Sequence, residues 1–284
     1  MLDHIFEQKQ NQLLYHYTSV DSAKAILRSN CLRLSEFSKL NDSSEFNYSK
    51  NIFIDELKKN GVDVDQRIRV LLPLLLPNFE KNTTLLIGSL TESSDDVAMW
   101  ERYAEGGRGC VLGIDADWLV NHAGVMVRKV VYEETKLRDF ANASLLMLHN
   151  NFVPSKTDQK DIFNLASFTI ADLFAFKHPS FKSEQEVRVG RMVIANERFE
   201  TGFYDAGGQT AAGLNVDPLT INQRIGPYGE TRFVDLPLGA NGVRSAIKSI
   251  GLGPKYLADE KAFFNLLEED SSKVRIWKSE VPLR

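Results

Sequence analysis

The segment Glu184-x-Glu186-x-Arg188 has the highest density of residues that could perform chemistry. Its alternation of polar and apolar residues predicts a strand, with both glutamates and Arg188 on one face and Val187 and Val189 on the other. Two carboxylates on one side suit a reaction that passes through a sugar oxocarbenium ion. One carboxylate stabilises the cation and holds a ribose hydroxyl, while the other handles the incoming nucleophile. The alternative is an edge strand whose polar face is solvated.

A second group lies near the start of the chain, where Tyr15, His16 and Tyr17 run into Thr18. Residues 13–17 predict a strand and residues 20–30 a helix, so His16 projects to the opposite side from Tyr15 as a fixed donor or acceptor. Thr18 and the N-terminus of the helix would present donors to an anion. The alternative is a core histidine bonded to a carbonyl group, with a hydroxyl side chain that caps the helix.

A third group joins hydroxyl residues to aromatic ones. Ser89 and Thr91 lie at the end of a strand predicted over residues 85–90. A helix predicted over residues 95–104 carries Trp100 and Tyr103 on one face. Aromatic rings beside polar groups form a shelf for a planar heterocycle. Since such a pair on a helix also suits a hydrophobic core, its assignment to a site depends on contact with the other two groups.

Together these motifs resemble known families. The Tyr-His-Tyr-Thr segment at residues 15–18 is similar to the first motif of the His-Tyr-Glu branch of ADP-ribosyltransferases, and Glu184-x-Glu186 resembles the Glu-x-Glu element of that superfamily. The ordered series also resembles a bacterial domain-of-unknown-function family of about this length, which has a Met-Trp…Tyr-Ala segment (residues 99–104 here) before Glu-x-Glu-x-Arg. This resemblance extends from residue 14 to about residue 267.

The resemblance implies an α+β fold with a split, mostly antiparallel sheet, flanking helices and NAD as co-substrate in the cleft. Glu186 would bond the nicotinamide ribose and stabilise the oxocarbenium ion, Glu184 would orient or deprotonate the acceptor, and His16 would hydrogen-bond a ribose. No metal is expected. The residues predicted to bind NAD are His16, Tyr17, Thr18, Ser89, Thr91, Trp100, Tyr103 and Arg188.

Several functions remain compatible with these motifs. The arginine-modifying branch of the superfamily pairs Glu-x-Glu with an opening arginine, whereas this chain has His16, so the protein or nucleic acid acceptor cannot be inferred from Glu184. An enzyme of the same fold could hydrolyse NAD, or remove a phosphate from RNA through an ADP-ribosylated intermediate. A nucleotide-binding sensor or interaction module without turnover is the third hypothesis. Both the enzyme and the NAD-sensor hypotheses require that Glu186 is shielded from solvent and lies close enough to His16 for one ligand to contact both.

The composition predicts a cytoplasmic protein. The 284 residues carry a net charge of −4, which argues against a protein whose main role is to grip nucleic acid phosphates. The two cysteines, Cys31 and Cys110, lie in apolar segments without metal-ligand spacing and suit a reducing compartment. No segment has the pattern of a signal peptide or the length of a membrane span.

We expect a single domain over residues 1–284. Two predicted helices, at residues 136–149 and 158–177, form a helical insertion, and a mobile loop rich in Gly, Asn, Gln and Pro is expected at about residues 206–229. The remaining predicted strands cover residues 31–34, 110–114, 125–132, 186–194, 247–251 and 274–277. The remaining predicted helices are one that follows a capping turn at residues 41–45 and runs to about residue 59, and two at residues 65–76 and 258–268.

Overall fold

The computed structural model describes residues 3–39, 44–59, 81–151, 169–226, 229–239, 245–257, 263 and 274–283. The chain is an α+β protein with a largely antiparallel open sheet and several helices. Its strands are β1 (Leu13–Thr18), β2 (Cys31–Glu36), β3 (Thr83–Thr91), β4 (Cys110–Asp115), β5 (Met126–Lys129), β6 (Glu186–Ala195), β7 (Phe203–Tyr204), β8 (Gly208–Gln209), β9 (Asn215–Val216), β10 (Asn222–Gly226), β11 (Gly229–Pro237), β12 (Ile247–Leu252) and β13 (Arg275–Lys278).

The helices lie on both faces of the sheet. They are α1 (Val20–Ser29), α2 (Ser44–Lys58), α3 (Val97–Tyr103), α4 (Ala116–Asn121) and α5 (Glu134–Asn151). Short 3₁₀ turns occur at Phe37–Lys39, Glu105–Gly107, Leu173–Ala175 and Pro179–Glu184. Among the described residues, no helix is both long enough and apolar enough to cross a membrane.

Strand β3 divides the sheet into two wings. One edge of β3 pairs with β6 over its whole length, from Thr83 to Thr91. The other edge pairs with β2 at residues 86–87 and with β1 at residue 91, so residues 88–90 face a gap between β1 and β2. The sheet order is β10-β11-β2-β3-β1-β4-β12-β13, and β6 carries β5 and β7 on its far side. A groove therefore begins between β1 and β2, where both strands leave the same edge of β3.

Each face of the sheet has its own hydrophobic core. The front face, defined as the face that carries Glu186 and Arg188, packs Ile87 and Phe174 against α2 and α5. The back face packs Val187 and Val189 of β6 against α4 and neighbouring strands. This division confirms the predicted alternation along β6, because odd and even residues of a strand face opposite sides.

The structure differs from the sequence prediction at the helical insertion. Helix α5, the first helix of the predicted insertion, packs against α2 within the front core. Residues 169–172 are helical, but Phe176 pairs with Val131 in a parallel bridge, and Lys177 donates its backbone N–H to Val131 O. The predicted helix to residue 177 was therefore wrong in its last residues, because this bridge draws the backbone into an extended conformation.

The predicted loop at residues 206–229 contains strands. Residues 208–209 and 215–216 form a small hairpin, β10 follows, and residue 229 begins β11. Gly, Asn and Gln have low strand propensity, so the pairing rather than the composition holds these segments extended. Strand β11 was not predicted at all. The predicted helix at residues 65–76 lies outside the described residues, as does that at residues 258–268 except for helical residue 263.

Candidate functional site

The two glutamates of the Glu-x-Glu motif lie on different elements. Glu186 begins β6, whereas Glu184 ends the 3₁₀ turn before it, and Gln185 between them adopts a left-handed conformation with φ 43°. The prediction that Glu184 shares a strand face with Glu186 was therefore wrong. The reversal at Gln185 nevertheless brings both carboxylates to the same lysine, and Thr91 Oγ1 anchors the turn by donating to Glu184 O at 2.8 Å.

Four charged side chains form what we call the site cluster: Lys177, Glu184, Glu186 and Arg188. Lys177 Nζ donates to Glu184 Oε2 at 2.7 Å and to Glu186 Oε2 at 3.3 Å. Arg188 contacts Glu186 with two nitrogens, Nε to Oε1 at 2.8 Å and Nη2 to Oε2 at 3.0 Å. All four residues are at most 6% exposed, and β6 lies between β3 and β5. The alternative of a solvated edge strand is therefore wrong.

The cations hold Glu186 in its ionised form. Burial alone would raise the pKa of the Glu186 carboxyl, but the charges of Arg188 and Lys177, with hydrogen bonds from Arg188 and Ser89, lower that pKa from 4.5 to about 2. Glu186 is therefore a carboxylate throughout the physiological pH range. A buried, permanently charged carboxylate is suited to stabilising positive charge that develops beside it.

Glu184 is held from the side of α3. Tyr103 donates its hydroxyl to Glu184 Oε1 at 2.7 Å, and Arg102 Nη1 approaches the same oxygen at 3.4 Å. Burial, the hydrogen bond to Glu184 and the charge of that residue all raise the pKa of the Tyr103 phenol. Tyr103 therefore remains a proton donor to Glu184, while its ring is 37% exposed.

His16 lies on β1 at the gap between β1 and β2, opposite residues 88–90 of β3. Its Nδ1 is 3.1 Å from Ser89 O, and burial lowers the pKa of the imidazole although the bond to Ser89 opposes the shift. The ring is therefore neutral near pH 7. Because a carbonyl oxygen can only accept, Nδ1 carries the proton and Nε2 is left as an acceptor.

A cavity of about 470 Å³ opens over the site cluster and the gap in the sheet. This volume is within the range of small-molecule sites, about 300–1,000 Å³. Seven of the predicted site residues line it: His16, Tyr17, Ser89, Tyr103, Glu184, Glu186 and Arg188. The structure thus brings the Glu-x-Glu motif and His16 to one cavity, with Glu186 only 5% exposed.

Three predicted residues do not line this cavity. Trp100 is fully buried, meets Tyr17 edge-on at 4.8 Å and donates Nε1 to Asp95, so it is a core residue that no ligand in the cavity can stack on. Thr91 is buried beneath Glu184. Thr18 is also buried, and Ser19 is the residue that caps α1.

The N-terminus of α1 does not present its donors to the cavity as expected. Val20 N donates to the carboxylate of Glu105 at 3.3 Å, and Ser22 N donates to the Ser19 hydroxyl. These two donors are satisfied within the chain. The anion-binding role that the sequence suggested for this helix terminus is thus taken by Glu105 from the same chain.

Lys177 is the main residue that the sequence analysis missed, together with Phe181 and Arg33 on the cavity wall. The Lys177 ammonium lies 4.5 Å from the centre of the Phe181 ring, and Arg33 lies on β2 across the gap. No local pattern marked Lys177, because it was placed in a helix. Lys177 lies beside both glutamates only because the Val131–Phe176 bridge extends the backbone at this point.

Part of this chain matches a described family. A DUF2971 domain is found at residues 99–189. The family is described as a protein of unknown function, and the matched segment covers less than half of the chain. It runs from within α3 to within β6, so the DUF2971 domain contains Tyr103 and the whole site cluster but neither His16 nor Ser89. No curated protein and no solved structure matches the chain.

The described residues hold no group of three or more His, Cys, Asp or Glu side chains arranged for a metal ion.

Proposed function

We propose that this protein transfers ADP-ribose from NAD to a macromolecular acceptor, with Glu186 stabilising the oxocarbenium ion. One observation carries the proposal: Glu186 is a buried, ionised carboxylate that shares a cavity with Glu184 and His16. The gap in the sheet between β1 and β2, which opens above residues 88–90, supports a cleft of the kind that the motif resemblance implies.

A ribose hydroxyl would have to displace one of the donors that Glu186 already accepts. A carboxylate offers about four lone-pair sites, and Glu186 receives two contacts from Arg188, one from Lys177 and one from Ser89. The Lys177 contact, at 3.3 Å, is longer than the two Arg188 contacts to Glu186. Lys177 also has a 2.7 Å bond to Glu184, which it would keep. A ribose 2′-hydroxyl would therefore replace Lys177 on Glu186 at small cost.

The remaining groups supply the other steps. The bond from the ribose C1′ to nicotinamide breaks, nicotinamide leaves as a neutral molecule, and the negative charge of Glu186 stabilises the resulting cation. The acceptor forms the new bond at C1′, and its proton passes to Glu184 or to solvent. His16 accepts a hydrogen bond from a ribose hydroxyl through Nε2.

A second candidate function is nucleotide binding without turnover. The observation that favours it is the complete pairing of the site cluster, because buried charges that satisfy one another also occur in purely structural roles. Hydrolysis of NAD on the same site is a third outcome. A labelled-NAD assay and a binding measurement together separate all three.

The test uses NAD labelled on its adenylate half, incubated with cell lysate and with wild-type protein, Glu186→Gln or Glu92→Gln. Glu92 follows β3 and pairs with Lys129 outside the site cluster, so its variant is the matched control. We expect label on protein or nucleic acid with the wild type and the control, and none with Glu186→Gln. Label that appears in free ADP-ribose would instead identify a glycohydrolase.

Loss of Glu186 leaves two buried cations, so a folding defect must be separated from a chemical one. His16→Asn meets this need, because the Asn amide can keep the donor to Ser89 O while the Nε2 acceptor is lost. We expect this variant to keep its melting temperature and to bind NAD more weakly. NAD that stays intact with the folded wild type, yet binds in calorimetry, would favour the sensor. The absence of NAD binding would remove all three hypotheses.

A further inference from the structure

A second cavity lies on the same face of the sheet as the site cluster. Its volume is about 330 Å³, and Tyr15 lines both cavities. One row of paired residues runs across six strands and includes residues that line each cavity: Arg275, Ser249, Gly113, Tyr15, Thr91 and Glu186. Since neighbouring strands are about 4.8 Å apart, Tyr15 lies roughly 10 Å from Glu186 along this row.

Two glycines inside strands lie directly beside residues that line the second cavity. A Cβ atom at Gly113 would lie 2.2 Å from Ser249 Oγ and 3.2 Å from the Tyr15 ring. A Cβ atom at Gly251 would lie 2.4 Å from Trp277 Cζ2 and 2.7 Å from Cε2, so the indole ring rests directly on the sheet. Glycine weakens a strand. Here the missing Cβ atoms let the Tyr15 and Trp277 rings pack close to the sheet beside the cavity.

Cations stand at the side of the cavity away from Tyr15. Lys248 of β12 and Arg275 of β13 line it, and both side chains are exposed. Lys248 Nζ also donates to Ser245 O at 3.3 Å. Arginine and lysine together provide the donors that bind a phosphate group.

A carboxylate acceptor also lines the second cavity. Asp95, in the loop before α3, accepts from Trp100 Nε1 and from the Ser279 hydroxyl, both at 2.6 Å to Oδ1. These bonds fix the carboxylate at the cavity, where Oδ2 would meet an amino or hydroxyl donor of a ligand. The cavity therefore combines two aromatic walls, a cationic end and a fixed acceptor.

We infer that this second cavity binds a nucleotide, with the base between Tyr15 and Trp277 and the phosphate on Lys248 and Arg275. Aromatic rings stack on any base, so the base is not specified, whereas the two cations favour a ligand that carries a phosphate. The nucleotide is either a free mononucleotide or one unit of a single-stranded nucleic acid. The inference does not depend on NAD chemistry in the first cavity.

The test measures tryptophan fluorescence, because Trp277 is partly exposed whereas Trp100 and Trp118 are buried. Titration with AMP should quench the wild type, adenosine should bind about tenfold more weakly or worse, and Trp277→Phe should remove the signal. The variant Lys248→Ala/Arg275→Ala should also weaken AMP about tenfold or more. Because both side chains are exposed, this double variant should fold normally.

Two controls locate the binding. Arg198→Ala/Lys9→Ala removes the same two charges from exposed positions elsewhere and should leave AMP binding unchanged. Arg33→Ala alters the first cavity and should also leave AMP binding unchanged. Weaker AMP binding in Arg33→Ala with normal binding in Lys248→Ala/Arg275→Ala would overturn the inference, as would equal binding of adenosine and AMP or the absence of quenching.

A third titration separates the two sources of the nucleotide. A single-stranded oligonucleotide of about six nucleotides should quench at lower concentration than AMP if the natural ligand is a nucleic acid. AMP that binds as tightly as the oligonucleotide identifies a free mononucleotide site. Both results depend on Lys248 and Arg275 if the inference is right.

Discussion

Strand β6 carries two buried arginine–carboxylate pairs that differ in what surrounds them. Arg188 pairs with Glu186 on the front face, and Arg191, three residues later, pairs with Asp205 on the back. Both arginines are 2% exposed. Their chemistry and burial are the same, so neither property by itself distinguishes a functional site from a structural one.

The second pair is a loop clamp, which we define as Arg191 and Asp205. Arg191 also donates to Gly124 O and Asp217 O, and Asp205 accepts from the backbone N–H groups of Gly207 and Leu219. These contacts close the segment after β7 onto the sheet. Neither residue of the clamp lines the two cavities described above.

The site cluster differs in two respects. It contains a second carboxylate, Glu184, which a single lysine joins to Glu186, and it borders an open cavity of about 470 Å³. Buried charges are paired both in the loop clamp and in the site cluster. Only the site cluster borders an open cavity, and this cavity is what indicates a function. This difference can be tested by removing one partner in each region.

The largest effect on stability is expected in the loop clamp. Asp205→Ala leaves Arg191 as an unpaired buried charge and removes the acceptor of Gly207 N and Leu219 N. We expect the free energy of unfolding to fall by about 3–5 kcal/mol, as measured by urea denaturation.

The control for this variant is Asp235→Ala, which removes the partner of Arg33 from a pair that is about 40% exposed on each side. It should cost below about 1 kcal/mol. Equal losses in the two variants would show that the loop clamp contributes no more than a surface pair.

The site cluster should respond to acid. Because the pKa of Glu186 is lowered from 4.5 to about 2 in the folded state, its contribution is complete above pH 4.5 and is lost as the pH falls towards 2. At about 1.4 kcal/mol per pKa unit, this contribution is about 3 kcal/mol. The unfolding free energies of wild type and Glu186→Gln should therefore converge over that pH range.

Glu133→Gln is the matched control for the acid test, since Glu133 pairs with Lys182 on the surface. Its difference from wild type should stay small at every pH. A gap between wild type and Glu186→Gln that does not change between pH 5 and pH 2 would contradict the ionised Glu186 on which the proposed function rests.

The smallest effect is expected at the rim of the cavity. Tyr103→Phe removes one donor to Glu184 Oε1, but Lys177 still binds Oε2. The free energy of unfolding should fall by about 1 kcal/mol. Tyr204→Phe, on β7 and stacked on Phe199, should change stability less in the same denaturation assay.

Much of the framework followed from local patterns. The predicted strands near Leu13, Cys31, Leu85, Cys110 and Ile247 are present, because alternating β-branched and apolar runs specify extended backbone. Strand β10 was missed because its residues are mostly exposed and polar. Strand β11 was missed although Phe233, Val234 and Leu236 are buried, because its apolar residues do not alternate regularly in the sequence. Lys177 was misplaced because a bridge to Val131, distant in sequence, ends the helix.

The sequence by itself determined which side chains share a face. Glu186 and Arg188 project to one side of β6 and Val187 to the other, because a strand repeats every two residues wherever it is placed. The tertiary structure alone decided that β1 and β2 leave the same edge of β3 and open a gap, that Lys177 reaches both glutamates, and that Trp100 is buried. These features depend on long-range packing, which local periodicity does not encode.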